Sequence, residues 1–518
     1  MWLFGIGLGF AATPDAVDLW EAFQARGSAE LPFDCQLGLV ADIEAHWSEF
    51  DAEQQAAFTE VFAPFKASLV DPMPQAGLTG LTGPDGFDAG TKLFAGSDTC
   101  WGQQGSNRVL TEHFSVEWDS AAVGMDTAEA FADALETSWD DAFGPMGWKE
   151  PDGTNNYKIM AFISGDNNAS AYTTVNPCGS VYMPYIVAGR GSFGAGVWYQ
   201  DMAGHELIHA SQYAYSVSFL NDGGLWLYEA TATYTQDQIW PTHEIWSQYT
   251  QGYTDNPGIA MAASDQEDQT IFFHMYGMNI WMFWLDENGM GPDGARMQWE
   301  QVEENERFGD RTEEELLTDL GYDFDALYKG FMAANTVMDY RQRRYHPEID
   351  VADYIDELPA EGGESGSFAP EQHGQHYIQL ADRAYDSDLP NLDLHFEGRA
   401  GGDWIALLVG ASDDEVQFVL EVPLDDDIGD AQLEDWGQYD QVWLVVSPTS
   451  DEGEVWSYDW TLDASAPPEP EPEDTDLPVD AGEDPSLVGC GCHPGAGPSS
   501  VFGIAGALAL VSARRRRA

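Results

Sequence analysis

Two histidines four residues apart, with a glutamate directly after the first, constrain this chain more than any other feature. The motif is His205-Glu206-Leu207-Ile208-His209, set in DMAGHELIHASQYAY. Residues four apart share one face of an α-helix, so on a helix both imidazoles can reach a single ion. Glu206 then projects beside them, where it can act on a water without being a ligand itself. The local pattern favours a helix over about 198–215, entered from a Gly-rich connection at 189–196. Two helix-surface histidines with a capping or salt-bridging glutamate are the plainer alternative. In this setting of strands, Gly-rich turn and helix it is the weaker one.

An ion held by two imidazoles needs a third protein ligand. No Gly-His pair follows His209, where the sequence continues ASQYAYSVSFLNDGG. Glu229, in LWLYEATATYTQ, lies 20 residues further on and belongs to a second helical pattern over about 225–238. A helix hairpin turned at 221–224 brings Glu229 back over the histidine face, and Ala230, Thr231 and Ala232 permit close packing. A His-His-Glu set with one open position is a catalytic zinc geometry. An oxyanion formed beside such an ion needs a further donor. Tyr276 and His274, at the start of an apolar helix over about 272–287, are candidates, with Tyr234 and Tyr249 behind them. Asp201 and Gln212 are the nearest candidates to orient the ligating imidazoles.

Other polar clusters carry less. His243-Glu244 lacks a second histidine, since Ser247 stands in that place, and His373 with His376 reads as strand entry. The acidic segments 424–430 and 382–388 could hold Ca²⁺, although neither has the ligand spacing of a calcium loop and a solvated face is the better reading. No phosphate-binding loop and no nucleophile elbow occur.

The order of patterns sets the expected architecture. An α+β domain with a mixed sheet and active-site helices is expected over 105–345, with strands at 109–118, 157–164 and 181–187, a helix at 127–143 and further helix at 313–340. Period-two runs such as WIALLVGA and QVWLVVSP then occupy 370–463, after a linker at 346–369, and read as an all-β sandwich domain. Residues 13–104 read as a helical cap or prodomain. The Pro- and Glu-rich stretch 464–488 reads as an extended linker.

Charge narrows the partners. The chain carries 20 Lys and Arg against 90 Asp and Glu, a formal charge of −70, which repels a phosphate backbone and excludes general nucleic-acid binding. Five Cys in 518 residues leave no CxxC pair and so no thiolate metal site. Cys35, Cys100 and Cys178 lie in the body, and Cys100–Cys178 is the favoured bridge. The segment 1–12, MWLFGIGLGFAA, resembles the hydrophobic part of a secretory signal without its basic start.

Two resemblances extend this reading. His205, Glu206, His209 and Glu229 match the glutamate-zincin (gluzincin) arrangement of thermolysin-like and related peptidases. More narrowly, HELIHASQYAY, WLYEATATY and MYGMNIWMFWLDENG resemble a family of secreted myxobacterial zinc metalloproteases, over about 105–345. The resemblance implies a zincin-like catalytic domain, Zn²⁺ on His205, His209 and Glu229, and Glu206 as general base and acid. It also implies a peptide or protein substrate and a sheet edge beside the metal helix, for which 181–186 is the candidate strand. The sequence departs from thermolysin at Tyr228, where an Asn would precede the third ligand, so subsite details are not carried over. At the other end, Gly-Cys-Gly-Cys at 489–492, an apolar run at 501–513 and Arg514 to Arg517 resemble the C-terminal sorting tails of myxobacterial surface proteins. That resemblance implies export, a short transmembrane segment, transient membrane contact through the tail and its sorting machinery, processing near Cys490, and display at the outer-membrane surface or release. The expected function is an exported zinc endopeptidase. The alternatives are a non-catalytic surface scaffold on the same fold and a zinc hydrolase of non-peptide amides.

Overall fold

The computed structural model describes residues 98–467, apart from 120, 168, 179–180, 195, 216–223, 266–267, 306–311, 382–383 and 451–454. The chain divides into two compact units, Met1–Pro467 and Pro468–Ala518, and all described residues belong to the first. The expected signal segment, the cap up to residue 97, the acidic linker beyond 467 and the sorting tail lie outside the described residues.

The first sheet has five strands: β1 (Asn107–Leu110), β2 (Phe114–Trp118), β3 (Ile159–Ser164), β4 (Ala171–Cys178) and β5 (Val181–Gly189). Their order is β1-β2-β3-β5-β4, with β2, β3 and β5 parallel and both edge strands antiparallel. The stretch expected as one strand at 109–118 is thus a hairpin. β4 was not expected, and it contains Asn176 and Pro177, residue types that strands seldom hold. The sheet is covered by α1 (Met125–Phe143), whose Ala128, Phe131 and Leu135 share one cluster with Phe114, Val116 and Ile159 to Ile163. A disulfide joins Cys100 to Cys178, the favoured pairing, and fixes the end of β4 to the segment entering β1.

Helix α2 (Trp198–Tyr215) sits between layers. Its Met202, Ala203, Leu207 and Ala210 belong to the sheet cluster, whereas Ile208 and Tyr213 join a second, larger core. That core is built by α3 (Leu225–Ile239), α4 (Trp246–Thr254), α5 (Gln269–Gly277), α6 (Asn279–Leu285), α7 (Gly294–Asn305), α8 (Glu313–Asp319) and α9 (Phe324–Asn335). The helix expected at 272–287 is two, α5 and α6, broken at Met278. Helices α4 and α5 cross at two glycines. A Cβ on Gly252 would lie 2.1 Å from Phe273 O, and one on Gly277 would lie 2.4 Å from Tyr253 N. Only a bare backbone permits that approach.

The remaining strands are β6 (Asp353–Ile355), β7 (Ala360–Glu364), β8 (His376–Leu380), β9 (Asn391–Gly398), β10 (Trp404–Ser412), β11 (Glu415–Glu421), β12 (Leu424–Asp425), β13 (Ile428–Leu433), β14 (Gln441–Pro448) and β15 (Tyr458–Ser465). They form two open five-stranded sheets, ordered β11-β10-β14-β8-β6 and β12-β13-β9-β15-β7. This corrects the expected fold class. The chain is a mixed α/β protein with three open, uncurled sheets, and no sheet closes into a β-sandwich domain of its own. The physical reason lies in β10 and β14. Successive side chains point to opposite faces of a strand. Ala406, Leu408, Leu444 and Val446 face the cluster that also holds Leu394, Phe396 and Trp460 of the other sheet. Ile405, Leu407, Val409, Trp443 and Val445 belong to the helical core. Helix α9 packs on β10 and β11, and the Tyr328 hydroxyl reaches His373 O at 2.7 Å and Ser447 Oγ at 2.8 Å.

The membrane expectations are withdrawn. Among the described residues no helix is long and apolar enough to cross a membrane. The tail on which the transmembrane segment, the membrane contact and the surface location rested lies outside the described residues.

Because one sheet serves both cores, helices and strands are expected to unfold together. Leu407→Ala, at a fully buried position of the helical core, should cost about 2–5 kcal/mol. Urea unfolding followed by helical circular dichroism and by tryptophan fluorescence should give coincident transitions in the variant. Loss of the strand region with the helical signal retained would contradict the shared core.

Candidate metal centre

Helix α2 is buried along almost its whole length, from Asp201 to Tyr213. A buried polar side chain must find a partner or lose several kcal/mol, so the polar residues of this helix reveal what it is built around. His205 and His209 fall one turn apart on the flank facing α3. Glu229, in the second turn of α3 and 1% exposed, projects between them. Its Oε2 lies 3.2 Å from His205 Nε2 and 3.3 Å from His209 Nε2. One donor atom from each residue fits within a mutual distance of 4.8 Å, and this is the one such group of three His, Cys, Asp or Glu among the described residues. The acidic segments weighed for Ca²⁺ form no such group, so Ca²⁺ has no support.

The proton arrangement shows what the cluster accepts. Gln212 Nε2 donates to Tyr228 O at 3.0 Å and to Thr231 Oγ1 at 2.9 Å. Its Oε1 is thereby turned toward His209 Nδ1, 2.7 Å away. An amide oxygen only accepts, so Nδ1 carries a proton and Nε2 is the nitrogen that faces Glu229. His205 Nδ1 meets Gln236 Oε1 at 3.0 Å, while Gln236 Nε2 is buried with no hydrogen-bond partner. Two imidazole Nε2 atoms and a carboxylate therefore converge, and Glu229 Oε1 is buried with no hydrogen-bond partner. A metal cation, or a proton shared with Glu229, completes such a set. The cluster can coordinate a divalent metal such as Zn²⁺.

Electrostatics agree with that polarity. Burial opposes the charge of Glu229, yet the adjacent imidazoles of His209 and His205 hold its carboxyl down at about 2. Burial depresses His209, and Glu229 more than reverses this, so its proton affinity rises. The rings are braced by aromatic faces. His209 stacks on Tyr228 at 4.0 Å and 6°, His205 on Tyr276 at 5.7 Å and 10°, and the two imidazoles stand at 88° to each other.

Glu206 points the other way, toward the first sheet. Its Oε2 accepts from Thr173 Oγ1 at 2.7 Å, and the same hydroxyl lies 2.8 Å from the main-chain oxygen of Glu206. Burial raises its carboxyl, against the pull of His209 and His205. Thr173 lies on β4, the edge strand. The strand expected beside the metal helix, 181–186, belongs to β5, which pairs with β4 along its length and with β3 from Tyr185 onward. β4 takes that place and packs against α2.

The other candidates separate clearly. Tyr276 adjoins His205 and is stacked on Tyr249 at 5.1 Å. Its phenol is pushed well up by burial and by Glu229. His274 is fully buried against Tyr253, its ring held down to about 4 by burial, and is not in the cluster. Tyr234 packs against Phe283. Asp201 pairs with His243 Nδ1 at 2.7 Å rather than with His205. Gln236, Thr173 and Tyr228 were not singled out as site residues from the sequence. Gln236 stands seven residues after Glu229, two turns along one helix face, which is a readable signal. Thr173 has none, because its strand was not foreseen.

A comparison with protein-family models finds no match, and neither does one with curated proteins. What the chain itself shows is a buried His-Glu-x-x-His with a third acidic ligand. That is consistent with a zincin-type metal site.

If the two glutamines fix the imidazole tautomers, Gln212→Leu and Gln236→Leu should each lower zinc affinity about 10- to 100-fold. Competition with a chromogenic chelator reads this directly. Wild-type affinity in both variants would show that the tautomers are set by something else.

Proposed function

We propose that this chain is a zinc-dependent peptidase. The observation that carries the reading is Glu206. It lies next to the His-His-Glu cluster, is buried, and is held from the edge strand rather than drawn in as a ligand. A purely structural ion has no use for a second buried carboxylate beside its ligands, whereas hydrolysis does.

In this reading His205, His209 and Glu229 hold the ion, and Gln236 and Gln212 accept from each Nδ1 so that Nε2 is the nitrogen offered to it. A divalent cation such as Zn²⁺ in that set supplies a Lewis acid and lowers the pKa of its water toward neutrality. Glu206 accepts a proton from the attacking water and returns it to the departing nitrogen. Burial raises its proton affinity, which suits a group that must both take and give. Tyr276 keeps its proton under all ordinary conditions and stands beside His205, so it is the donor assigned to the developing oxyanion. Among the described residues β4 is an edge strand next to α2, and an extended peptide can add to it as a further strand. That edge favours a peptide over other amides.

The test uses the zinc-replete full chain against a pool of unstructured peptides. Hydrolysis is expected in the wild type. It should fall at least about 100-fold in Glu206→Gln, with metal content unchanged. Retained hydrolysis in Glu206→Gln would remove the role given to the base. Zinc binding with intact peptides but cleaved non-peptide amides would favour the wider hydrolase reading.

A further inference from the structure

We propose that Thr173, on the edge strand, is a positioning residue for Glu206, so that the strand offered to a substrate also sets the aim of the base. The inference rests on the peptidase reading and deepens it. The Thr173 hydroxyl is buried and has two acceptors in reach, both on one residue: Glu206 Oε2 at 2.7 Å and Glu206 O at 2.8 Å. A hydroxyl has one proton to give. While Glu206 is ionised, that proton belongs on Oε2, where it pins one carboxylate oxygen. Oε1 is left as the oxygen that exchanges a proton. The second acceptor ties the same hydroxyl to the main chain of α2, so the spacing between strand and helix is fixed at the residue that carries the base.

The strand is itself held in place. β4 pairs with β5 along its whole length, from Ala171↔Ala188 to Cys178↔Val181. Its far end is joined to Cys100 by the disulfide. At its near end Ser170 O accepts from Gly189 N at 2.9 Å. The alternation of an antiparallel ladder then turns the main-chain groups of 171 and 173 toward the free edge. Thr173 therefore has its side chain on Glu206 and its backbone on the side where a substrate strand would add, where its main-chain oxygen also accepts from the Tyr213 hydroxyl at 3.4 Å.

A β-branched residue is what a strand prefers, and valine would serve that purpose equally well. The hydroxyl is the part that valine lacks. Thr173→Val keeps the shape and removes the bond, whereas Thr173→Ser keeps the bond and removes a methyl.

The experiment measures kcat, KM and bound zinc for both variants in the zinc-replete full chain, each with and without Glu206→Gln. Thr173→Val is expected to lower kcat about 10- to 100-fold, as for loss of a hydrogen bond to a charged group, with KM and zinc content unchanged. Thr173→Ser should recover most of the wild-type kcat. On the Glu206→Gln background Thr173→Val should cause no further loss. Wild-type kcat in Thr173→Val, or equal losses in the serine and valine variants, overturns the proposal and leaves the peptidase reading standing. If Thr173→Val does not fold, the serine variant decides: full activity supports the hydroxyl role, and a loss matching Thr173→Ala overturns it. Absence of hydrolysis in the wild type removes the peptidase reading and this proposal together.

Discussion

The close approach of α2 and α3 is the constraint on which the rest of the molecule turns. It brings two imidazole Nε2 atoms and a carboxylate into one buried space. Such a convergence is unfavourable unless a positive charge occupies it. Everything around it limits other ways out. Gln212 is held by Tyr228 and Thr231, and in turn holds His209. Gln236 Oε1 meets His205 Nδ1 at 3.0 Å. Aromatic faces from Tyr228 and Tyr276 leave the imidazoles no room to rotate away.

The layers follow from the same demand for rigidity. On one side, the first sheet supplies β4 and the Thr173 hydroxyl. On the other, the helices from α3 to α9 build a core that borrows Leu407, Val409 and Val445 from a sheet far along the chain. The strand region is thus part of the scaffold that steadies α3, not a free module. This explains why β10 and β14 are apolar on both faces, where a solvated sheet would alternate.

Much of this was legible in the sequence, and the reasons for the rest are physical. The motif on α2 and the ligand on α3 could be read because i, i+4 spacing and a short return between helices are local properties. The Cys100–Cys178 pairing was favoured on little more than the placement of the tail cysteines. β4 was invisible because Pro177 and Asn176 mask an edge strand whose identity comes from pairing with β5. The same omission left β4 out of the choice of substrate strand, which fell on 181–186. The fold class failed where continuous apolar runs such as WIALLVGA were taken as one half of a sandwich. Their second apolar face belongs to helices about 70 residues and more earlier, and no local pattern carries that information.

The central claim is that a divalent ion is held by two imidazoles and one carboxylate. X-ray absorption at the zinc edge, on the full chain carrying one equivalent of zinc, tests it most directly. The expected spectrum has two imidazole ligands at about 2.0 Å and otherwise only oxygen. His209→Ala should remove one imidazole contribution and most of the affinity. Sulfur in the first shell, or failure to retain zinc through dialysis, would contradict the account.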